Sequence, residues 1–142
     1  MNNVFLGVVF CLAFALPALA ASDDEVAARK AALDIAGAFS NDGYKVRDGN
    51  WSAPIKKGEA KVVQVNLYAG NAYWFSLGTN EAAQKMAVTI YDESGKVQSS
   101  DPYEDGPKTA AGFSPPASGP YYIKVEEMDG EPANFCLIYS YK

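Results

Sequence analysis

Residues 86–125, MAVTIYDESGKVQSSDPYEDGPKTAAGFSPPASGPYYIKV, constrain the fold more than any other stretch of the chain. Met86, Val88 and Ile90 alternate with Ala87, Thr89 and Tyr91. A period of two built from β-branched and aromatic residues predicts a strand. Asp92-Glu93-Ser94-Gly95 breaks that period. Gly95 supplies a positive φ and Asp92 can bond the backbone two residues on, so the tetrapeptide is a turn. Residues 96–100 are expected to pair back as a short strand. Residues 101–107 (DPYEDGP) are expected to be a loop, because two prolines and a glycine do not suit the interior of a ladder. Residues 108–113 resume an extended run, 115–120 turn, and Tyr121, Ile123 and Val125 alternate with Tyr122, Lys124 and Glu126 as a further strand.

The flanking segments carry the same period. Residues 44–47 and 51–55 read as short strands, and 56–59 (KKGE) as a turn. Val63, Val65 and Leu67 point inward from residues 61–67, and Ala69-Gly70-Asn71 reads as a hairpin turn. Tyr73, Phe75 and Leu77 face the core, leaving Trp74 and Ser76 on the other side; 78–85 is a polar loop. After a turn at Asp129-Gly130 comes the last strand, with Phe135, Leu137, Tyr139 and Tyr141 on one face and Cys136 and Ile138 on the other. A strand apolar on both faces is central or covered.

Tyr91, Asp92, Gly95, Ser100, Asp101, Phe113, Pro116, Ser118, Gly119, Tyr121, Tyr122 and Val125 fit the pattern of a hydrophobic strand, a D-x-x-G turn, an S-D pair and F-x-x-P-x-S-G-x-Y-Y-x-x-V. Upstream, residues 65–75 (VNLYAGNAYWF) fit V-x-L-x-A-G-x-x-Y-x-F. On these motifs the chain resembles the bacterial pre-peptidase C-terminal (PPC) domain family, over roughly residues 51–141. The resemblance implies a jelly-roll-like antiparallel β-sandwich and is uninformative for activity. Such domains are usually appended to secreted peptidases, and this chain carries no peptidase to serve.

Residues 1–20 hold no charged side chain, an apolar run from Val4 to Leu16, Pro17, and the small-x-small exit Ala18-Leu19-Ala20. That is the pattern of a cleaved signal peptide, and it places the mature protein in the periplasm or outside the cell. Cys11 lacks a lipoprotein acylation box before it, so no lipid anchor and no membrane attachment is expected after cleavage. Residues 22–40 predict a helix within an N-terminal segment 21–43. Ser22 with Glu25 three residues on is a capping-box pattern, and Asp23, Asp24 and Glu25 suit the positive end of the helix dipole. Ala28, Ala31, Ala32, Ile35 and Phe39 share one face, with Lys30 and Asp34 opposite. This face either docks on the sandwich or covers one sheet edge, or it binds a partner. The domain proper is 44–142, so the fold class is all-β with one N-terminal helix.

A mature chain of about 122 residues can bury a core as one domain. Hydrophobic residues make up 49% and aromatics 13%, which excludes a disordered chain. A net charge of −5 makes nucleic acid an unsuitable partner. Of the two cysteines only Cys136 survives signal removal; it is either buried or pairs between chains. There is no histidine, which removes the Ser-His-Asp and Cys-His pairs and imidazole zinc sites. No enzyme is expected.

Three candidate constellations remain. Asp101, Glu104 and Asp105, with Asp92 on a neighbouring turn, supply hard oxygen ligands of the kind Ca²⁺ takes; the alternative is a solvated acidic loop. Trp51, Trp74, Tyr103 and Tyr122 offer surface rings for stacking on a protein or an extracellular polymer, or else pack under the helix or the second sheet. Ser118-Gly119-Pro120-Tyr121-Tyr122 matches the S-G-x-x-Y motif of small periplasmic lysozyme inhibitors. The leading expectation is an exported binding or accessory module recognising a protein or polymer surface, with calcium as a candidate stabiliser. The alternative is an inhibitor or immunity-type protein acting through loops 101–107 and 115–120.

Overall fold

A computed structural model describes residues 22–142; the expected signal peptide, 1–20, lies outside the described residues. Helix α1 (Asp23–Ser40) begins where its cap dictates, with the Ser22 hydroxyl accepting the Glu25 N–H at 3.2 Å. Nine strands follow: β1 (Lys45–Val46), β2 (Trp51–Ile55), β3 (Ala60–Leu67), β4 (Tyr73–Thr79), β5 (Ala83–Tyr91), β6 (Asp101–Asp105), β7 (Lys108–Phe113), β8 (Gly119–Gly130) and β9 (Ala133–Tyr141). They form two antiparallel sheets. The larger has the order β1-β9-β4-β7-β6, with β2 also paired to β9; the smaller is β3-β8-β5. The β2-β9-β4-β7 and β3-β8-β5 orders are those of a jelly roll. The fourth strand of its smaller sheet is shortened here to one bridge, Tyr91 to Val97.

The core lies between the sheets. Phe75, Leu77, Phe113, Phe135 and Leu137 from the larger sheet meet Val65, Leu67, Ile90, Tyr121, Ile123 and Val125 from the smaller one. All are buried, as the period-two reading requires. β9 is a central strand apolar on both sides: Phe135 and Leu137 join this core, while Cys136 and Ile138 join Ala28, Ala32 and Ala36 in a second cluster under the helix. The helix therefore covers the outer face of the larger sheet, above β4 and β9, rather than a sheet edge. Its small residues allow close approach. A Cβ added to Gly78 on β4 would lie 2.2 Å from the Ala32 nitrogen and 2.3 Å from the Ala28 carbonyl oxygen. Lys30 and Asp34, on the far side, pair at 3.0 Å.

Several local expectations give way to long-range pairing. Residues 69–71 do not close a hairpin: β3 pairs with β8 while β4 pairs with β7 and β9, so the segment crosses between sheets. Residues 101–107 are not a loop. Residues 101–105 form β6, the outermost strand of the larger sheet, where a proline is tolerated because one side of the strand needs no partner. Residues 96–100 do not form a strand beyond the Val97 bridge, because the segment folds back on the Asp92 turn through Gln98. The 78–85 loop contracts to 80–82, and β8 runs on through Gly130 before the chain turns.

Candidate functional site

The helix occupies the outer face of the larger sheet, whereas no other described element packs on the outer face of the smaller one. Register defines that open face. Tyr122 on β8 lies between Gln64 of β3 and Tyr91 of β5, Lys124 between Val62 and Thr89, and Glu126 between Ala60 and Ala87. Each is out of phase with the core residues Tyr121, Ile123 and Val125. The face is thus a patch with two adjacent tyrosines at one end and a charged pair at the other. Lys124 Nζ lies 3.3 Å from Glu126 Oε2 and 5.7 Å from the centroid of the Tyr91 ring. The Tyr91 hydroxyl, and then the Glu126 carboxylate, raise the Lys124 pKa above its ordinary value. Val62 is 57% exposed beside them.

The tyrosine end opens into a cleft of about 440 Å³ between the turn after β5 and the segment before β8. Asp92, Glu93, Ser94, Gln98, Pro116 and Ser118 line it. Asp92 holds its own turn: Oδ1 accepts from the Ser94 N–H and hydroxyl and from the Lys96 N–H, and Oδ2 accepts from the Gln98 amide. These bonds, chiefly the Ser94 hydroxyl, lower the Asp92 pKa. Ser118 Oγ accepts the Ala69 N–H at 2.8 Å and so ties the sheet crossing to this cleft. The Tyr121 hydroxyl donates to the Ala117 carbonyl.

The residues singled out in the sequence scatter over the molecule. Asp101, Glu104 and Asp105 sit on β6, where the pleat sends Asp101 and Asp105 to the helix side and Glu104 to the other side. Asp92 is on the β5 turn, its oxygens already in use. Among the described residues no three histidine, cysteine, aspartate or glutamate side chains come together as metal ligands would. Trp51 turns to the core side and stacks on Tyr139 with ring centroids 5.9 Å apart. Trp74 lies under the helix, stacked on Phe39 at 4.1 Å and 9°, with its ring over Gly112. Tyr103 meets the same Phe39 edge-on at 6.1 Å and is 39% exposed. Of the four aromatics, Tyr122 alone reaches the open face, and Ser118 reaches the adjoining cleft.

Tyr91 was legible as an outward residue of β5, yet nothing local marks it as a neighbour of Tyr122. Comparison with models of known protein families, and with curated protein sequences, finds no match. No helix among the described residues is long and apolar enough to cross a membrane.

Proposed function

We propose that the chain is an exported, non-catalytic module that recognises the surface of a protein or an extracellular polymer, and that the outer face of β3-β8-β5 is its contact surface. One observation carries this reading: among the described residues the sandwich covers one of its two outer faces with a helix and leaves the other open and led by the Tyr91–Tyr122 pair. Tyrosine presents a large apolar ring with a polar tip and few rotamers to immobilise, which suits stacking on sugar rings or peptide planes. The sequence likeness to PPC domains supports the sandwich fold that presents this face. The signal-peptide pattern supports a periplasmic or extracellular setting.

Retention on immobilised cell-envelope polymer and on envelope-protein extract tests the proposal. Tyr91→Ala with Tyr122→Ala is expected to lower retention about tenfold or more, the loss of two stacking contacts of about 1 kcal/mol each. Equal retention of the double variant and the wild type moves the site off this face. The inhibitor reading draws on the cleft, which the Ser118–Tyr122 motif borders. It predicts a different pattern: lysozyme inhibition lost on changing Pro116 or Ser118 of the 115–120 loop and kept in Tyr91→Ala, which lies outside the motif.

The separation of the β6 carboxylates favours a module without structural calcium. Unfolding midpoints in millimolar Ca²⁺ and in EGTA are expected to coincide, since a ligand binding only the native state must raise the midpoint. A rise abolished by Asp101→Ala and Asp105→Ala restores a metal at this strand.

A further inference from the structure

We propose that Glu127 is a proton-binding site, neutral in the folded protein, whose ionisation opens the end of the sandwich where the 56–59 turn meets β8. Glu127 continues the inward series Tyr121, Ile123, Val125 on β8 and sits opposite Met86 of β5. It is 0% exposed, and neither carboxyl oxygen has a hydrogen-bond partner among the described residues. A buried, unpaired carboxylate is costly enough that the group takes up a proton instead.

The surrounding charges act in the same direction. Glu131 on the β8–β9 turn, Asp129 on β8 and Glu59 on the β2–β3 turn all disfavour a further negative charge. The nearby cations are committed elsewhere: Lys57 holds Asp129 at 3.1 Å, Lys61 holds Glu59 at 3.2 Å, and Lys85 of β5 acts on Asp129. Burial first, and then these three carboxylates, push the Glu127 pKa above its ordinary 4.5.

The ladder is irregular at the same place. The Glu127 N–H donates to the Glu59 carbonyl at 3.3 Å, and the Gly58 N–H donates to the Glu127 carbonyl at 2.9 Å. On the other side β5 loses register twice, between Ala83 and Lys85 and between Lys85 and Met86. Charge arising on Glu127 therefore acts on two turn-side hydrogen bonds and an irregular strand, and not on the regular ladder from Ile123 to Tyr121.

The sign follows from the raised folded-state pKa. The contribution of the neutral group to stability is fully present below about 4.5, the unfolded value, and is lost as pH rises through the folded value. Two measurements on the intact protein test this. The first is a ¹³C titration of the glutamate carboxyls, with Glu127 assigned by its absence in Glu127→Gln. A midpoint above 4.5 is expected, and a midpoint at or below 4.5 overturns the proposal. The second is amide exchange at Gly58 and Glu127 between about pH 5 and about pH 8, corrected for intrinsic base catalysis. Protection is expected to fall with pH in the wild type and to stay level in Glu127→Gln. Level protection in the wild type, or an equal fall in both proteins, overturns it. If Glu127→Gln does not fold, difference assignment from Glu127→Met and the wild-type exchange profile decide the question.

Discussion

Gly78→Ala is expected to destabilise the protein by on the order of 3 kcal/mol, the upper part of the usual range for forcing a methyl group into a filled interface. The reason is the identity of the atoms in the way. The new Cβ would fall 2.2 Å from the Ala32 nitrogen, 2.3 Å from the Ala28 carbonyl oxygen and 2.8 Å from the Ala31 carbonyl carbon. These are helix backbone atoms and cannot rotate aside as the end of a long side chain would. Gly78 also lies on a central strand, paired with Cys136 on one side and Lys108 on the other, so the strand cannot retreat without distorting β9 and β7. Relief comes only by lifting the helix. Trp74 reports that movement, because its ring stacks on Phe39 of the helix. In a Trp51→Phe background, Gly78→Ala should shift Trp74 emission to longer wavelength and lower the urea midpoint, with secondary structure largely retained. A midpoint shift worth less than about 0.5 kcal/mol would mean that the helix slides freely on the sheet, and that its small residues do not set its position.

Phe75→Ala is expected to cost about 4 kcal/mol through the other face of the same strand. Phe75 is fully buried between the sheets, with the Tyr139 ring 5.5 Å and the Tyr73 ring 6.5 Å from its own centroid. Its strand neighbours are Ala111 and Tyr139, so β7 offers only a small side chain to refill the space. The deletion removes aromatic area and leaves a cavity that two hydrogen-bonded sheets cannot collapse around. Against a total stability of about 5–15 kcal/mol, such a loss brings the protein near its threshold. Equilibrium urea unfolding measures it. A change below about 2 kcal/mol would show that the aromatic cluster repacks, and that the core is less tightly specified than its burial implies. Comparing Phe75→Ala with Gly78→Ala separates the two layers: Trp74 emission should stay near that of the native protein in the first and move in the second.

Glu127 shows how far a sequence pattern reaches. Tyr121, Ile123 and Val125 mark alternate positions as inward, and the same count carries Glu127 inward. The residue type argues the other way, since a glutamate at the end of a strand is ordinarily in water. Geometry decides: β8 continues to Gly130 and the 56–59 turn closes over it. Pro102 is the converse case. Its residue type argues for a loop, and only the fact that no described residue pairs beyond β6 makes a strand acceptable there. The candidate face divides in the same manner. Tyr122 and Tyr91 were both readable as outward from their alternation, but their adjacency depends on β5 and β8 pairing across thirty intervening residues.

Local chemistry thus determined the helix and its cap, the inward faces of β3, β4, β8 and β9, the Asp92 turn, and the need for β9 to be covered on both sides. These depend on residues within a few positions of one another, where side-chain period and backbone bonding are set directly by the sequence. The tertiary structure alone decided which strands share a sheet. It made residues 69–71 a crossing instead of a hairpin, put Trp51 and Trp74 inside and left Tyr122 outside, and buried a glutamate without a partner. An outward side chain is outward only relative to its own strand. Whether it meets water, a helix or a second sheet is set by pairings between distant segments, and no local period encodes them.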